Sequence, residues 1–283
     1  MRFISFASNG ANRFGVLQGD RVTVYPERIA SLDAYLALAF GAREALARET
    51  ETLPLSGLQL RAPAHPRKNV FCVGRNYVDH AEEVARATGR ELKLPSVPTF
   101  FTKAPTAIAD PGAVLHLSAE ISAQYDWEAE LAVIIGTRCR DVAEADALSV
   151  IFGYTCLNDV TARDLQRSHQ QWFKGKSLDQ TCPIGPWIVS ADEIPNPQTL
   201  AISLRVDGEI KQASNTSKMI FTVAAIIASL SRGLTLEPGD VIATGTPDGV
   251  GLARTPPEFL RDGQTMEVEI EKIGVLRNDI ALR

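Results

Sequence analysis

Residues 125–136 read YDWEAELAVIIG, with carboxylates at alternate positions, Asp126, Glu128 and Glu130, followed at once by an apolar run. Side chains of an extended strand alternate between faces, so these three acids point the same way. A solvent-facing strand is the ordinary explanation of such alternation. It fits poorly here, because Ala132 and Ile134 continue the acidic face while Trp127, Ala129, Leu131, Val133 and Ile135 line the other. Both faces turn apolar within a few residues, as in a strand entering a core. Same-face neighbours lie about 6–7 Å apart, and like charges so close at the mouth of a dry interior repel strongly. A positive group between them relieves that repulsion. If the group is a hard dication, Glu128 and Glu130 need a third oxygen ligand, and Asp159 in GYTCLNDVTARDLQ is the best candidate. It ends a predicted strand where a turn hands over to a helix. Helix capping is the competing role for Asp159. Thr161 and Asp164 supply a capping pair of their own, which frees Asp159 to face the site. Three carboxylates without a Cys or His cluster suit Mg²⁺, Mn²⁺ or Ca²⁺ rather than Zn²⁺.

Three further stretches carry groups of matching chemistry. In VGRNYVDHAEE, His80 and Glu83 are three apart on a predicted helix and so are neighbours on its surface. The carboxylate can hold the imidazole and raise its basicity, as a general base requires; an exposed helix face is the plain alternative. His65 and His169 have no acid three or four residues on, and His116, four before Glu120, lies in no predicted helix. The polar stretch TGRELKLPSVPT behind that helix could close over a site. In WFKGKSLDQTCPIGP, Lys174 and Lys176 fall in a Gly-containing turn. Such lysines are ordinarily solvated, but beside a metal Lys176 could stabilise a developing oxyanion. In ATGTPDGVG a nucleotide loop is excluded, because neither the G-K-[ST] ending nor GxGxxG is present. A tight turn explains the glycines equally well, yet such a loop can offer backbone N–H groups and the Thr246 hydroxyl to a substrate carboxylate.

The elements that must position these groups are mostly strands. RFISFA, FGVLQ and RVTVY are separated by turn signals at Ser8-Asn9-Gly10 and Gly19-Asp20, and a helical stretch from Ser31 to Glu49 follows. LRAPAHPRKN reads as a linker, which divides the chain into a small α+β domain over 1–62 and a larger domain over 63–283. NVFCVG, LAVIIG, IFGYTCLND, WIVS, LAISLRVDG, DVIATG and MEVEIEKIGVLRN are predicted strands. YVDHAEEVARATG is a helix closed by Gly89, and MIFTVAAIIASLSRG one closed by Gly233. Clustered strands with few crossover helices favour an α+β fold. The 283 residues can bury a substantial core, and 45% hydrophobic with 22% charged residues is ordinary for a globular protein. A net charge of −5 with no basic run gives no support to a nucleic-acid partner. No signal-peptide core or membrane-length apolar run is present. Four scattered cysteines without a CxxC pair read as reduced thiols of a cytoplasmic protein, with Cys156 and Cys182 near the site.

Five stretches in this order, VGRNYVDHAEE, DWEAELAVIIG, GYTCLNDVTARDLQ, KGKSLDQTCPIGP and GDVIATGTPDGVG, resemble the fumarylacetoacetate hydrolase superfamily from about Asn69 to the C-terminus. Any one is ordinary; the ordered set is specific. The resemblance implies a β-rich roll with a large mixed sheet and flanking helices, and commonly a homodimer. It implies Glu128, Glu130 and Asp159 as ligands of Mg²⁺ or Mn²⁺, and His80 with Glu83 as a water-activating dyad. Arg163 and Gln166 would line the pocket, Lys176 would stand beside the reacting oxygen, and Thr246 would contact the substrate carboxylate. The founding enzyme has a further ligating aspartate upstream, where this chain is apolar near Val73. The chain therefore sides with the smaller acylpyruvase-like branch, and its N-terminal unit resembles bacterial members acting in aromatic or sugar-acid catabolism. The expected reaction is hydrolysis of a carbon–carbon bond in a 2,4-dioxo acid. Isomerisation of hydroxymuconate-type diacids, or oxaloacetate decarboxylation, is the alternative at the same site.

Overall fold

The computed structural model describes residues 1–38, 42, 43, 46, 51–89 and 91–283. Strands Arg2–Ser8 and Ala11–Gln18 are joined by Asn9-Gly10, both at positive φ (51° and 78°), which suits the tight turn of a right-twisted hairpin. Arg21–Val24 and Glu51–Pro54 extend this sheet outward. Of the predicted N-terminal helix, Leu32–Leu36 is helical and Ser31 accepts the N–H of Ala34 as its N-cap. Most of the remainder of that stretch lies outside the described residues. On its other side Arg2–Ser8 pairs with Cys182–Ser190, so the opening strands continue into the rest of the molecule.

Beyond that junction the large sheet runs Cys182–Ser190, Ile151–Asn158, Ala129–Ile135, Val241–Ala243, Val70–Gly74 and Thr99–Lys103. It is mixed: Val241–Ala243 lies parallel to Val70–Gly74, and the other neighbours along this path are antiparallel. A second sheet of five strands is built from Glu209–Asn215, Ala201–Val206, Thr265–Ile270, Gly274–Leu282 and Val114–Leu117. The fold is α+β with few helices, as the clustering of strand patterns implies. MEVEIEKIGVLRN is a hairpin, with two strands rather than one. The helix Val78–Thr88 ends at Gly89 in the left-handed conformation, a standard stop. Thr222 caps the helix Val223–Ser231.

All seven residues of Ala129–Ile135 are buried. Leu131, Val133 and Ile135 pack in a cluster with Ile202, Leu204 and Val268 of the second sheet. Ala132 and Ile134 pack in another with Phe3, Phe14 and Tyr35. This strand is covered on both faces, which is why it reads as continuous apolar sequence after Glu130. Among the described residues no helix is long and apolar enough to cross a membrane.

Candidate active site

The antiparallel register of two central strands brings the acids together. Ala129 faces Asn158 and Glu130 faces Leu157 across the ladder. Just past its end the Asp159 N–H donates to the Glu128 carbonyl (2.9 Å), and the Asn158 side chain accepts the Glu128 N–H (3.0 Å). Side-chain oxygens of Glu128, Glu130 and Asp159 consequently lie within 4.8 Å of one another, and all three residues are buried. Asp126 is diverted. It sits in a separate two-stranded ladder with Thr161 and accepts from the N–H groups of Trp127, Gly251 and Leu252 and from Arg163 Nε. Asp126 thus stays outside the triad, and residues 127–128 interrupt the ladder between it and Glu130.

Charge in this site is heavily compensated. Lys176 Nζ donates to Glu128 Oε2 and Asp159 Oδ2, both at 2.7 Å. Arg163 bridges Asp126 (2.8 Å) and Glu128 (2.7 Å), and the same Nη1 donates to Gln166 Oε1 (3.0 Å). Lys103, a residue that sequence inspection passed over, is fully buried and donates to Asp159 Oδ1 (2.7 Å) and the Val160 carbonyl (3.1 Å). Burial raises the Glu128 carboxyl, yet Lys176 and Arg163 outweigh it and hold the group at about 2. Burial and then repulsion by Asp159 and Glu128 push Glu130 well above the usual carboxylate range, against Lys176 and the Gly245 N–H. For Lys176 burial acts to lower the pKa, but Asp159 and Glu128 prevail and raise it. One carboxyl of the triad is thus left without enough positive charge to ionise comfortably. An all-oxygen donor set with that deficit fits a hard divalent cation, as the residue types suggested.

His80 is buried on the helix Val78–Thr88, and its Nδ1 lies 3.0 Å from Glu83 Oε1. Glu83 also accepts the N–H groups of Gly249 (2.9 Å) and Val250 (3.4 Å), so it ties this helix to the Gly-rich loop. As an acceptor there, it orients the ring by taking the Nδ1–H, which in the neutral imidazole leaves the lone pair on Nε2. Thr246 is buried and accepts from Gln212 Nε2 (2.9 Å); Gln212 in turn accepts the Ala129 N–H. Asn76 pins the same loop, donating to the Thr244 carbonyl (2.8 Å). Gln212 and Asn76 are polar residues in ordinary surroundings of sequence, and only their burial marks them.

His80, Glu128, Glu130, Arg163, Gln166, Lys176 and Thr246 all line one cavity of about 550 Å³. Val73 lines it too, so the upstream place of a fourth carboxylate is apolar. Two local expectations require correction. Lys176 is in a short helix, Phe173–Lys176, rather than a turn, and is buried where Lys174 is exposed. Thr161 and Asp164 do not cap the helix Arg163–Ser168: Thr161 donates to the Asp159 carbonyl, and Asp164 accepts from Leu165 N–H and Ser122. Among the cysteines, Cys182 adjoins the Lys103–Asp159 pair and burial pushes its thiol up to about 12, whereas Cys156 contacts the Gly274 carbonyl instead.

Residues 69–281 match the family described as Fumarylacetoacetate (FAA) hydrolase C-terminal, and residues 1–63 that described as Rv2993c-like, N-terminal. The chain belongs to the fumarylacetoacetate hydrolase family. It is 47% identical over 227 residues, 80% of this chain and 74% of the relative, to Oxaloacetate tautomerase YisK of Bacillus subtilis. A solved fumarylacetoacetate hydrolase (EaFAH) from Exiguobacterium antarcticum is 39% identical with a TM-score of 0.85, each chain covered in full. A 2-hydroxyhepta-2,4-diene-1,7-dioate isomerase from Mycobacterium marinum is 34% identical with a TM-score of 0.80, covering 100% of this chain and 99% of that one. The likeness to the tautomerase overturns the assignment of this family member as a carbon–carbon bond hydrolase, because a tautomerase rearranges bonds without adding water. The carboxylate, histidine and lysine motifs are common to the hydrolase reading and its isomerase alternative, so they could not separate the two.

Proposed function

We propose that this protein is a Mg²⁺- or Mn²⁺-dependent tautomerase of oxaloacetate-type 2-oxo acids. The observation that carries the reading is the convergence of a buried carboxylate triad, an oriented His80 and a charged Lys176 on one cavity, in a chain similar to an oxaloacetate tautomerase. Glu128, Glu130 and Asp159 would hold the cation, which supplies positive charge to polarise an oxo oxygen. Keto–enol exchange moves a proton between the carbon beside the oxo group and the oxo oxygen. His80 Nε2 takes or returns that proton, while Glu83 keeps the ring in the required tautomer. Lys176 remains ionised beside its carboxylates and stabilises negative charge on the oxygen. Among the described residues Arg163 Nη2 is buried without a hydrogen-bond partner and its residue lines the cavity, so it is available to a substrate carboxylate. Thr246 contributes to the same end.

The test follows oxaloacetate by NMR in the presence of Mg²⁺ or Mn²⁺. The enol and keto forms should interconvert faster with protein than without, with no more pyruvate, CO₂ or other fragment released than in the protein-free control. Catalysed release of fragments at the expense of interconversion would remove the proposal.

A further inference from the structure

The cavity carries two kinds of positive charge. Lys176 and Arg163, deep inside, are engaged by Glu128, Asp159 and Asp126. Arg75 and Arg167 are exposed at the rim of the same cavity, and neither has a carboxylate partner among the described residues. Arg167 donates to the Gln124 amide oxygen. Arg75 has its guanidinium 5.8 Å from the Trp172 ring centroid. Its φ of 56° lies in the left-handed region, a strained choice for arginine that turns the chain as it leaves the strand Val70–Gly74.

The ring beneath Arg75 is held in place. A Cβ at Gly74 would meet Trp172 Cζ3 at 2.5 Å, so the indole lies directly on the strand backbone. Its other neighbour is Phe101, edge-on at 5.3 Å between centroids, and Lys176 Nζ stands 5.0 Å from the Phe101 centroid. Lys176 and Arg75 therefore stand against the two rings of one aromatic pair, Lys176 buried at Phe101 and Arg75 exposed at Trp172. A ligand gripped by its 2-oxo acid group at the triad would lay its chain along this pair toward Arg75.

We infer that Arg75, assisted by Arg167, binds a second carboxylate at the far end of the substrate, so that the site selects 2-oxo diacids over 2-oxo monoacids. This inference rests on the proposed 2-oxo acid site. An Arg–carboxylate contact is charge-assisted and often bidentate, which gives both affinity and direction.

The experiment compares matched pairs that differ by a terminal carboxylate: oxaloacetate with 2-oxobutyrate, and 2-oxoglutarate with 2-oxovalerate. Dissociation constants are measured by titration calorimetry on the full chain with Mn²⁺, for the wild type, Arg75→Gln and the double variant Arg75→Gln/Arg167→Gln. The wild type should bind each diacid about ten- to a hundredfold more tightly than its monoacid partner. Arg75→Gln should remove most of that preference and leave monoacid affinity within about twofold. The residual preference should be lost in the double variant and should fall with added salt, because the rim is exposed. Equal affinities in the wild type, or a preference that survives both substitutions, would overturn the subsite. Failure of the functional reading looks different: diacid preference intact, with no acceleration of tautomerisation.

Discussion

His80 and Lys103 show two ways in which a single buried side chain serves this site. His80 has one nitrogen committed to Glu83 and the other toward the cavity, the geometry of a general acid–base group. His80→Ala should slow oxaloacetate tautomerisation by roughly 10²–10⁴-fold and spare Mn²⁺ binding, since the imidazole belongs to none of the three carboxylates. Turnover and calorimetric metal affinity, measured on one preparation, check both halves. Lys103 has no exposed surface and contacts Asp159 on the side opposite Lys176. Its removal strands part of a buried charge network, so Lys103→Met should destabilise the protein by about 3–5 kcal/mol in urea unfolding. Exposed Lys174→Met should cost less than about 0.5 kcal/mol. Equal effects from the two would show that Lys103 is not a structural counter-charge.

At the scale of elements, the site is a meeting of strand ends. The parallel strands Val70–Gly74 and Val241–Ala243 deliver, from their C-terminal ends, the helix bearing His80 and the loop bearing Thr246. Glu83 and Asn76 then fasten the helix side to the loop side. Gly245 is a tight point of that seam. Its φ is 100°, its N–H donates to Glu130 Oε2 at 2.7 Å, and an added Cβ would approach Asn76 Cβ to 2.7 Å. Gly245→Ala should therefore cost about 1–3 kcal/mol of stability and shift the donor away from Glu130. A weaker metal affinity in the same variant, read by calorimetry, would show that the loop positions a ligand; unchanged affinity would confine its role to stability.

Across the whole molecule, the buried charges make stability depend on pH and on metal. Glu130 has a raised pKa in the metal-free fold, so the stability associated with it is fully present below the ordinary carboxylate value of 4.5 and is lost as pH rises through the folded value. Glu128 runs the other way, contributing above 4.5 and losing its contribution as pH falls toward about 2. In chelator-treated protein, Glu130→Gln should thus melt at a progressively higher temperature than the wild type as pH is raised from about 5 to about 8. Adding Mg²⁺ or Mn²⁺ should reverse the order, because the wild type gains binding energy, about 2.7 kcal/mol at a hundredfold excess over Kd, and the variant gains less. Melting curves with and without metal, across that pH range, decide it. Parallel curves for the two proteins would show that Glu130 is neither strained nor a ligand.

The chain order alone determined much of this protein. Turn pairs such as Asn9-Gly10, the apolar run after Glu130 and the Gly89 stop are local signals, since they depend on backbone sterics and on alternation within a few residues. Spacing likewise placed Glu128 beside Glu130 and His80 beside Glu83, because strand and helix periods act over two to four positions. What lay beyond those periods was decided by packing. Strand register brought Asp159 to Glu128, burial set Lys176 apart from Lys174, and the interrupted ladder sent Asp126 to Arg163. Lys103, Asn76 and Gln212 carry no local pattern at all; they matter because each is enclosed with a partner far along the chain. Hydrogen bonds and ion pairs at the site join residues up to 168 positions apart, and only the folded sheet brings such groups within reach of one another.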